Sequence, residues 1–544
     1  MTLGFDRSTM LERLRDETFD VLVVGGGITG VGVALDAATR GLRTALVERH
    51  DFASGTSSKS SKLVHGGLRY LQNGDVRLVY EALHERSRLM RNAPHLVRLL
   101  PFLIPILDEH GLMDARLARG FGSALWAYDL TGGWRVGKFH RRLDTSEALA
   151  HLPTLDPSRL SAAYVYFDAH ADDARLTLAV ARTAAVHGAA VVNHAGVRSL
   201  IHGSDGRVTG AIVSTDIDEF EVRAGCVVNA TGVWADAVNV LDRRAGDPAT
   251  APTLRPAKGV HLTVARSRIG NDIAAVLPVP GDGRSMFLVP DGDLAYIGTT
   301  DTDYTGDPDD PMCTPDDVAY VLDAANATLT SGLTEHDVLG SWAGLRPLLE
   351  VAGTGKTKDL SRRHRVTTSK TGVVTVTGGK LTTYRRMAAD TVDVVVRSLG
   401  RGTRSSRTER LMLVGTSDAA AEAATTDPLV ARHGTLAAEV RSLAALDPDL
   451  ARPLVPTLPY LAAEAVHAVR HEMATDLSDV LDRRTRCRIY ARDDTADAAA
   501  DVAAVIGPEL GWSPRRQREE ADRYRAGVER ERATAGLPRT SRAK

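Results

Sequence analysis

The chain has 544 residues, 43% of them hydrophobic and 25% charged, with a formal net charge of −2 at pH 7. That length suits two or three globular domains, and so balanced a charge excludes any global pull toward nucleic acid. The charged opening, with Asp6, Arg7, Glu12 and Arg13, does not read as a secretory signal, and no apolar run reaches membrane-spanning length. Three scattered cysteines, Cys226, Cys313 and Cys487, are too few for a disulfide framework or a metal site, so a reducing cytoplasm and no metal are expected.

Residues 1–18 read as a short charged helix or arm. Residues 19–24 are apolar and β-branched, a buried strand, and they end in Gly25, Gly26 and Gly27, with Gly30 one turn on. Gly25 allows the turn, Gly27 lets the backbone approach a pyrophosphate, and Gly30 lets the following helix pack close to the strand. The helix N-terminus then offers unpaired N–H groups to the anion. Residues 44–47 predict a second parallel strand, and Glu48 at its end can accept hydrogen bonds from both hydroxyls of an adenosine ribose. This is a dinucleotide-binding unit, which by itself does not separate NAD from FAD.

Residues 54–71 are rich in hydroxyls and glycine and carry Lys59, Lys62, His65 and Arg69. A solvated loop is the bland reading; a second phosphate or ring contact, directly after the nucleotide unit, is the stronger one. Residues 76–92 predict an amphipathic helix. Residues 96–107, interrupted by Arg98, Pro101 and Pro105, predict a strand pair or buried loop. Residues 111–130 predict a helix whose aromatic face is core or, alternatively, faces a membrane. Residues 164–168, a helix over 172–187 and a strand over 189–193 read as a return into an α/β layer, and 207–213 with 219–223 as a small hairpin. The buried strand 226–229 runs into Ala230, Thr231 and Gly232, small residues that leave room beside a nucleotide at the carboxyl end of a sheet. The nucleotide domain is therefore expected to be discontinuous.

From Lys258 the texture changes to antiparallel strands. Val260, Leu262 and Val264 alternate with His261 and Thr263, which puts His261 on the face opposite the apolar one. Residues 286–289 and 294–299 predict a hairpin, a helix follows over 317–329, and Arg346 precedes a proline at a strand end. Strand 373–377 meets Gly378 and Gly379, and a helix opening at Lys380 and running to about Leu399 presents a second positive dipole end to a flavin ring or anion. Beyond the linker 400–407 the chain is alanine-rich and helical, with a basic, disordered tail expected after Gly536.

Together GGGITGVGVALDAATRGL, TSSKSSKLVHGGLRYL, NATGVWAD, IGTTDTDY, GLRPLL and GGKLTTYR resemble the FAD-dependent glycerol-3-phosphate dehydrogenases of the respiratory, quinone-linked type. The resemblance covers roughly residues 19–400, and DVLDRRTR at 479–486 extends it. It implies an α/β fold class: a glutathione-reductase-like FAD-binding Rossmann domain (1–80, continued by about 160–245 and 355–400), an inserted antiparallel-sheet substrate domain (81–160 and 246–354) and a C-terminal helical domain (408–544). It implies oxidation of sn-glycerol 3-phosphate to dihydroxyacetone phosphate, with hydride to flavin N5 and electrons to a membrane quinone. The protein would be cytoplasmic and held peripherally on the cytoplasmic membrane. Homodimerisation, membrane docking and partner binding are all uses open to the C-terminal helices.

The residues that the resemblance implies for FAD are Gly25, Gly27, Ile28, Thr29, Gly30, Glu48 and Arg49 in the nucleotide unit; Thr56, Ser57, Ser58, Ser61, Lys62, Leu63, His65, Gly66 and Gly67 in the hydroxyl-rich segment; Ala230, Thr231 and Gly232; and Gly379, Lys380, Leu381 and Thr382. Around the substrate it implies Arg69, Tyr70, Arg346, Arg362 and Lys380, with Arg69 and Arg346 suited to grip phosphate bidentately. Lys380 can also stabilise negative charge on the reduced flavin. His261 is the first choice for the base, since its ordinary pKa lies near neutrality. Arg346 with a bound water, or His65, would substitute; a hydrogen-bonded structural histidine is the plain alternative. Three rival readings remain: an oxidase passing electrons to dioxygen, an amine or amino-acid oxidase whose substrate carboxylate takes the Arg346 site, and a non-catalytic FAD-binding membrane-docking protein.

Overall fold

The strand Thr18–Val24 is buried from its second residue onward, which requires a partner strand on each side. The computed structural model, which describes residues 5–67, 76–108, 125–126, 128–129, 132, 137–243, 253–281, 284–349, 364–402 and 404–542, supplies both. Thr18–Val24 runs parallel to Glu219–Asn229 on one side and to Thr44–Val47 on the other, with Val24 opposite both Asn229 and Val47. Val374–Thr377 extends the parallel set beyond Glu219–Asn229, and Ala190–Val192 extends it beyond Thr44–Val47. One continuous sheet is thus assembled from segments almost 360 residues apart in sequence, between about residues 18 and 377. The helix Ile28–Thr39 lies between the helices Asp173–Val186 and Tyr384–Ser398 on this sheet.

A second, ten-stranded sheet is largely antiparallel. Its long strands are Val97–Leu107, Leu160–Ala171, Leu254–Ala265 and Val338–Leu349. One face packs Val260, Leu262 and Val264 against Val318, Val321 and Leu322 of the helix Pro315–Asn326. The other gathers Phe102, Tyr166, Tyr296 and Trp342. Both faces are therefore covered, and His261, on the side away from Val260 and Leu262, is only 2% exposed.

Three expectations are corrected here. Residues 97–107 form one strand: among the described residues the neighbour Ala274–Pro278 meets it only at Phe102 and Leu103, so neither Pro101 nor Pro105 is paired on that side. Residues 164–168 belong to the second sheet, paired along Val97–Leu107; a short apolar run reads alike in either kind of sheet. The C-terminal tail docks: Leu537 is buried, and Thr540 donates from N to Asp493 Oδ2 at 3.0 Å and from Oγ1 to the Val338 carbonyl at 3.0 Å. Most of the helix expected over 111–130 lies outside the described residues. Beyond residue 404 several short helices and the 21-residue helix Pro514–Thr534 surround a core of Val455, Val480, Leu481, Val502 and Ile506. No helix among the described residues is long and apolar enough to cross a membrane.

Candidate active site

At the end of the first strand Gly25 adopts φ +111°, and a Cβ there would lie 2.8 Å from the Ala230 carbonyl oxygen. The turn and the Ala230–Gly232 segment are therefore in backbone contact. A Cβ on Gly30 would lie 1.9 Å from the Gly25 oxygen, so the helix rests directly on the turn. Glu48 accepts from the Gly26 N–H through Oε2 (2.6 Å) and from the His50 N–H through Oε1 (2.8 Å). Burial pushes its carboxyl pKa up, against the pull of these two amides. Each carboxylate oxygen keeps a lone pair for a further donor. Ile28 N donates to Ser57 Oγ at 2.9 Å, tying the helix start to the hydroxyl-rich segment.

One cavity of about 450 Å³ runs from this turn to the second sheet. Along it lie Gly25, Gly27, Ile28 and Thr29; Glu48 and Arg49; Thr56, Ser57, Ser61, Leu63 and His65; Ala230, Thr231 and Gly232; His261; Arg346; and Gly379, Lys380, Leu381 and Thr382. The shape suits a dinucleotide laid between two helix N-termini, one at Ile28 and one entered through the turn Leu381–Thr383. FAD placed here would meet Glu48 and Arg49 at its adenosine, Gly27 to Thr29 at its pyrophosphate, and the second sheet at its ring.

At the sheet end, Arg346 Nη1 donates to Asp301 Oδ1 (3.0 Å) while Nη2 donates to Thr299 Oγ1 and the Thr300 carbonyl, each at 3.1 Å. Its guanidinium is thus fixed in orientation. His261 stacks on Trp342, with ring centroids 4.7 Å apart and 8° between planes, and its Nε2 lies 2.9 Å from Ser61 Oγ. Burial, then the charges of Arg346 and Lys62, hold its pKa well below 6.5, so the imidazole is neutral at physiological pH. His65 also faces the cavity, with its ring edge on Phe287 and its N–H donating to Thr382 Oγ1 at 3.2 Å. Thr383 stands at the N-cap position of the helix Tyr384–Ser398, but its Oγ1 donates back to the Lys380 carbonyl (3.4 Å) and caps no helix N–H.

Five of the expected cofactor residues are not on the cavity wall. Gly30 packs the helix, as above. Lys62, expected near phosphate or ring, is buried with Nζ 2.9 Å from Asp173 Oδ1. Ser58 turns its carbonyl to Lys62 and Arg486. Gly66 donates to Tyr128 Oη (3.1 Å) and would clash there if it carried a Cβ; Gly67, at φ +79°, completes that turn. A lysine in a hydroxyl-rich run reads the same whether its partner is a phosphate or an aspartate 111 residues away. Arg69, Tyr70 and Arg362 lie outside the described residues. Conversely, Trp234 lines the cavity without having been singled out, and Lys59, marked in the hydroxyl-rich segment but not placed among the cofactor residues, lines it too. Trp234 Nε1 donates to Asp309 Oδ1 at 2.5 Å, and Arg49 lies 4.9 Å over its ring. The signal for it was present in NATGVWAD, where an aromatic follows the small residues.

Residues 20–385 match the family described as FAD dependent oxidoreductase. The chain is thus an FAD-dependent oxidoreductase. Residues 370–517 match the family described as the C-terminal domain of alpha-glycerophosphate oxidase. Glycerol-3-phosphate dehydrogenase 2 of Mycobacterium tuberculosis is 41% identical over 542 residues, 96% of this chain and 90% of that protein. The mitochondrial glycerol-3-phosphate dehydrogenase of Mus musculus is 38% identical, over 93% of this chain and 72% of its own length. The structure of the glycerol-3-phosphate dehydrogenase from Bacillus halodurans complexed with FAD matches with a TM-score of 0.77 at 30% identity, covering 97% of each chain. Within the FAD-dependent oxidoreductases, this chain belongs to the glycerol-3-phosphate dehydrogenases.

Proposed function

We propose that the protein oxidises sn-glycerol 3-phosphate to dihydroxyacetone phosphate and passes the electrons to a membrane quinone. The observation that carries this reading is that His261, Arg346 and Lys380 line the same cavity as the Gly25 turn. Bound FAD supplies the hydride acceptor. Arg346, oriented by Asp301 and Thr300, is suited to hold the substrate anion, and Lys380 adds a second cation to the cavity lining. Arg69, Tyr70 and Arg362 complete the proposed substrate set. A neutral His261 can take up the hydroxyl proton, and Ser61, on the cavity wall and hydrogen-bonded to it, provides the path.

Membrane contact is supported by exposed apolar side chains: Tyr80 on the helix Val76–Asn92 is 47% exposed, and Trp126, beside the exposed Phe139, is 52% exposed. Docking would be peripheral, and three buried free cysteines suit a reducing cytoplasmic side. Transfer to dioxygen is the second reading, favoured by the match of residues 370–517 to the oxidase C-terminal family.

The test is anaerobic addition of glycerol 3-phosphate to the yellow holoprotein, followed by reoxidation with either a soluble quinone analogue or air. Bleaching and fast quinone reoxidation are expected. An unchanged flavin spectrum would remove the substrate, and air outpacing the quinone would establish the oxidase.

A further inference from the structure

The segment that walls the cavity at Ser57, Lys59, Ser60 and Ser61 is held from behind by a buried charge cluster reaching into the C-terminal helices. Arg486, only 2% exposed, ion-pairs with Asp173, which is fully buried, and donates from Nη2 to the Ser58 carbonyl at 2.9 Å. Lys62 Nζ donates to the same Asp173 carboxylate at 2.9 Å and to the same Ser58 carbonyl at 3.2 Å. Burial disfavours the Asp173 charge, but Lys62 and Arg486 hold its carboxyl below the usual range. The other Asp173 oxygen takes both the N–H (3.1 Å) and the hydroxyl (2.7 Å) of Ser60.

Ser60 is next to Ser61, and the main chain of both is pinned from the second sheet. Trp342 Nε1 donates to the Ser60 carbonyl (3.2 Å), and Tyr296 Oη donates to the Ser61 carbonyl (3.1 Å). Trp342 is also the ring on which His261 stacks, and Lys62 Nζ sits 5.0 Å from the centroid of the same ring. The Ser58 carbonyl, the Ser60 amide, hydroxyl and carbonyl, and the Ser61 carbonyl are thus held in one geometry, which ends at the 2.9 Å contact of Ser61 Oγ with His261 Nε2.

We propose that Arg486 and Asp173 are positioning residues for the reaction: through Ser60 they place Ser61 against His261. The C-terminal helices then act on the chemistry as well as on the fold. The proposal rests on the reading of His261 given above. Loops of this kind have many near-equivalent conformations, and charge-assisted bonds to both main chain and side chain leave one.

The experiment uses the full-length, FAD-loaded protein carrying Arg486→Gln, Arg486→Lys or Ser61→Ala. The reduction rate constant per bound flavin with saturating glycerol 3-phosphate is expected to fall about tenfold or more in Arg486→Gln, a sub-ångström to ångström misplacement being enough for that. The apparent substrate dissociation constant should move far less, and Arg486→Lys should recover most of the rate. A readout independent of turnover is the rate at which diethyl pyrocarbonate modifies His261, followed by peptide mass spectrometry; it should rise severalfold in Arg486→Gln. If melting temperature and FAD content fall while the per-flavin rate and His261 reactivity stay at wild-type values, the cluster only packs the domains and the proposal is overturned. Should Arg486→Gln fail to fold, Ser61→Ala decides, since it leaves every buried ion pair in place: an unchanged reduction rate overturns the proposal. A wild-type flavin that glycerol 3-phosphate does not bleach refutes the substrate reading instead, and leaves the modification arm interpretable.

Discussion

Two glycines three residues apart in the first turn should respond differently to the same methyl, one losing apoprotein stability together with FAD and the other losing only FAD affinity. A Cβ at Gly30 falls short of even a 3.0 Å contact with the Gly25 oxygen by about 1 Å, and its neighbour is backbone held by the first strand. Gly30→Ala must push the helix Ile28–Thr39 off the turn, and overpacking of this kind costs about 1–3 kcal/mol. At about 1 °C per kcal/mol for a chain of this length the apoprotein should melt about 1–3 °C lower, and the displaced helix start should no longer retain FAD. At Gly27 the added Cβ meets only Ser57 Oγ, at 3.1 Å, a side chain that can rotate away. Gly27→Ala should therefore keep the apoprotein melting temperature. It should still weaken FAD binding about 10- to 100-fold, the worth of one charge-assisted hydrogen bond of about 1.5–3 kcal/mol, because the methyl fills the approach to the pyrophosphate. The assay is differential scanning fluorimetry of apoprotein and holoprotein with a fluorescence titration of FAD. Equal behaviour of the two variants, or a Gly30→Ala protein that binds FAD like wild type, would refute the assignment of packing to one glycine and ligand approach to the other.

Arg346→Ala removes bonds to Asp301, Thr299 and Thr300 at once; flavin reduction should slow and the substrate constant rise, together by about 1.5–3 kcal/mol, and an unaltered reduction rate constant in stopped flow would take Arg346 out of the mechanism. Because the pKa of His261 is held well below 6.5 by burial and by Arg346 and Lys62, the acid limb of the reduction rate should lie well under that of a free histidine; a limb at 6.5 would mean another group is the base. His95 and His170 are lowered from 6.5 to about 4, chiefly by burial. At these two positions the folded chain binds fewer protons than the unfolded one in that window, so the stability they contribute above pH 6.5 drains away as pH falls toward 4. Melting temperatures across that range should decline, and a flat profile would contradict it. Deleting residues 537–542 should lower the melting temperature by uncovering the Leu537 site and freeing Asp493, whereas a disordered tail would be dispensable.

Much of this protein was readable before folding because its decisive signals are local. A strand, three glycines, a helix and a terminal acid must fall within 30 residues to make a nucleotide cradle, so their spacing alone identifies it. The same holds for the helix over 76–92 and for the second glycine pair before Lys380. What only the tertiary structure decided are the partners of charges, since a lysine or arginine carries no mark of the group it will meet. Lys62 faces Asp173 instead of the cavity, Arg486 reaches back from the C-terminal helices to the wall of the site, and the basic tail binds Asp493 and Val338. Sheet membership of 160–171 and the burial of His261 on a face that alternation marks as non-core were likewise set by what packs on each sheet. Periodicity tells which residues share a face; only the assembled layers determine whether a second layer, a cavity or water lies against it.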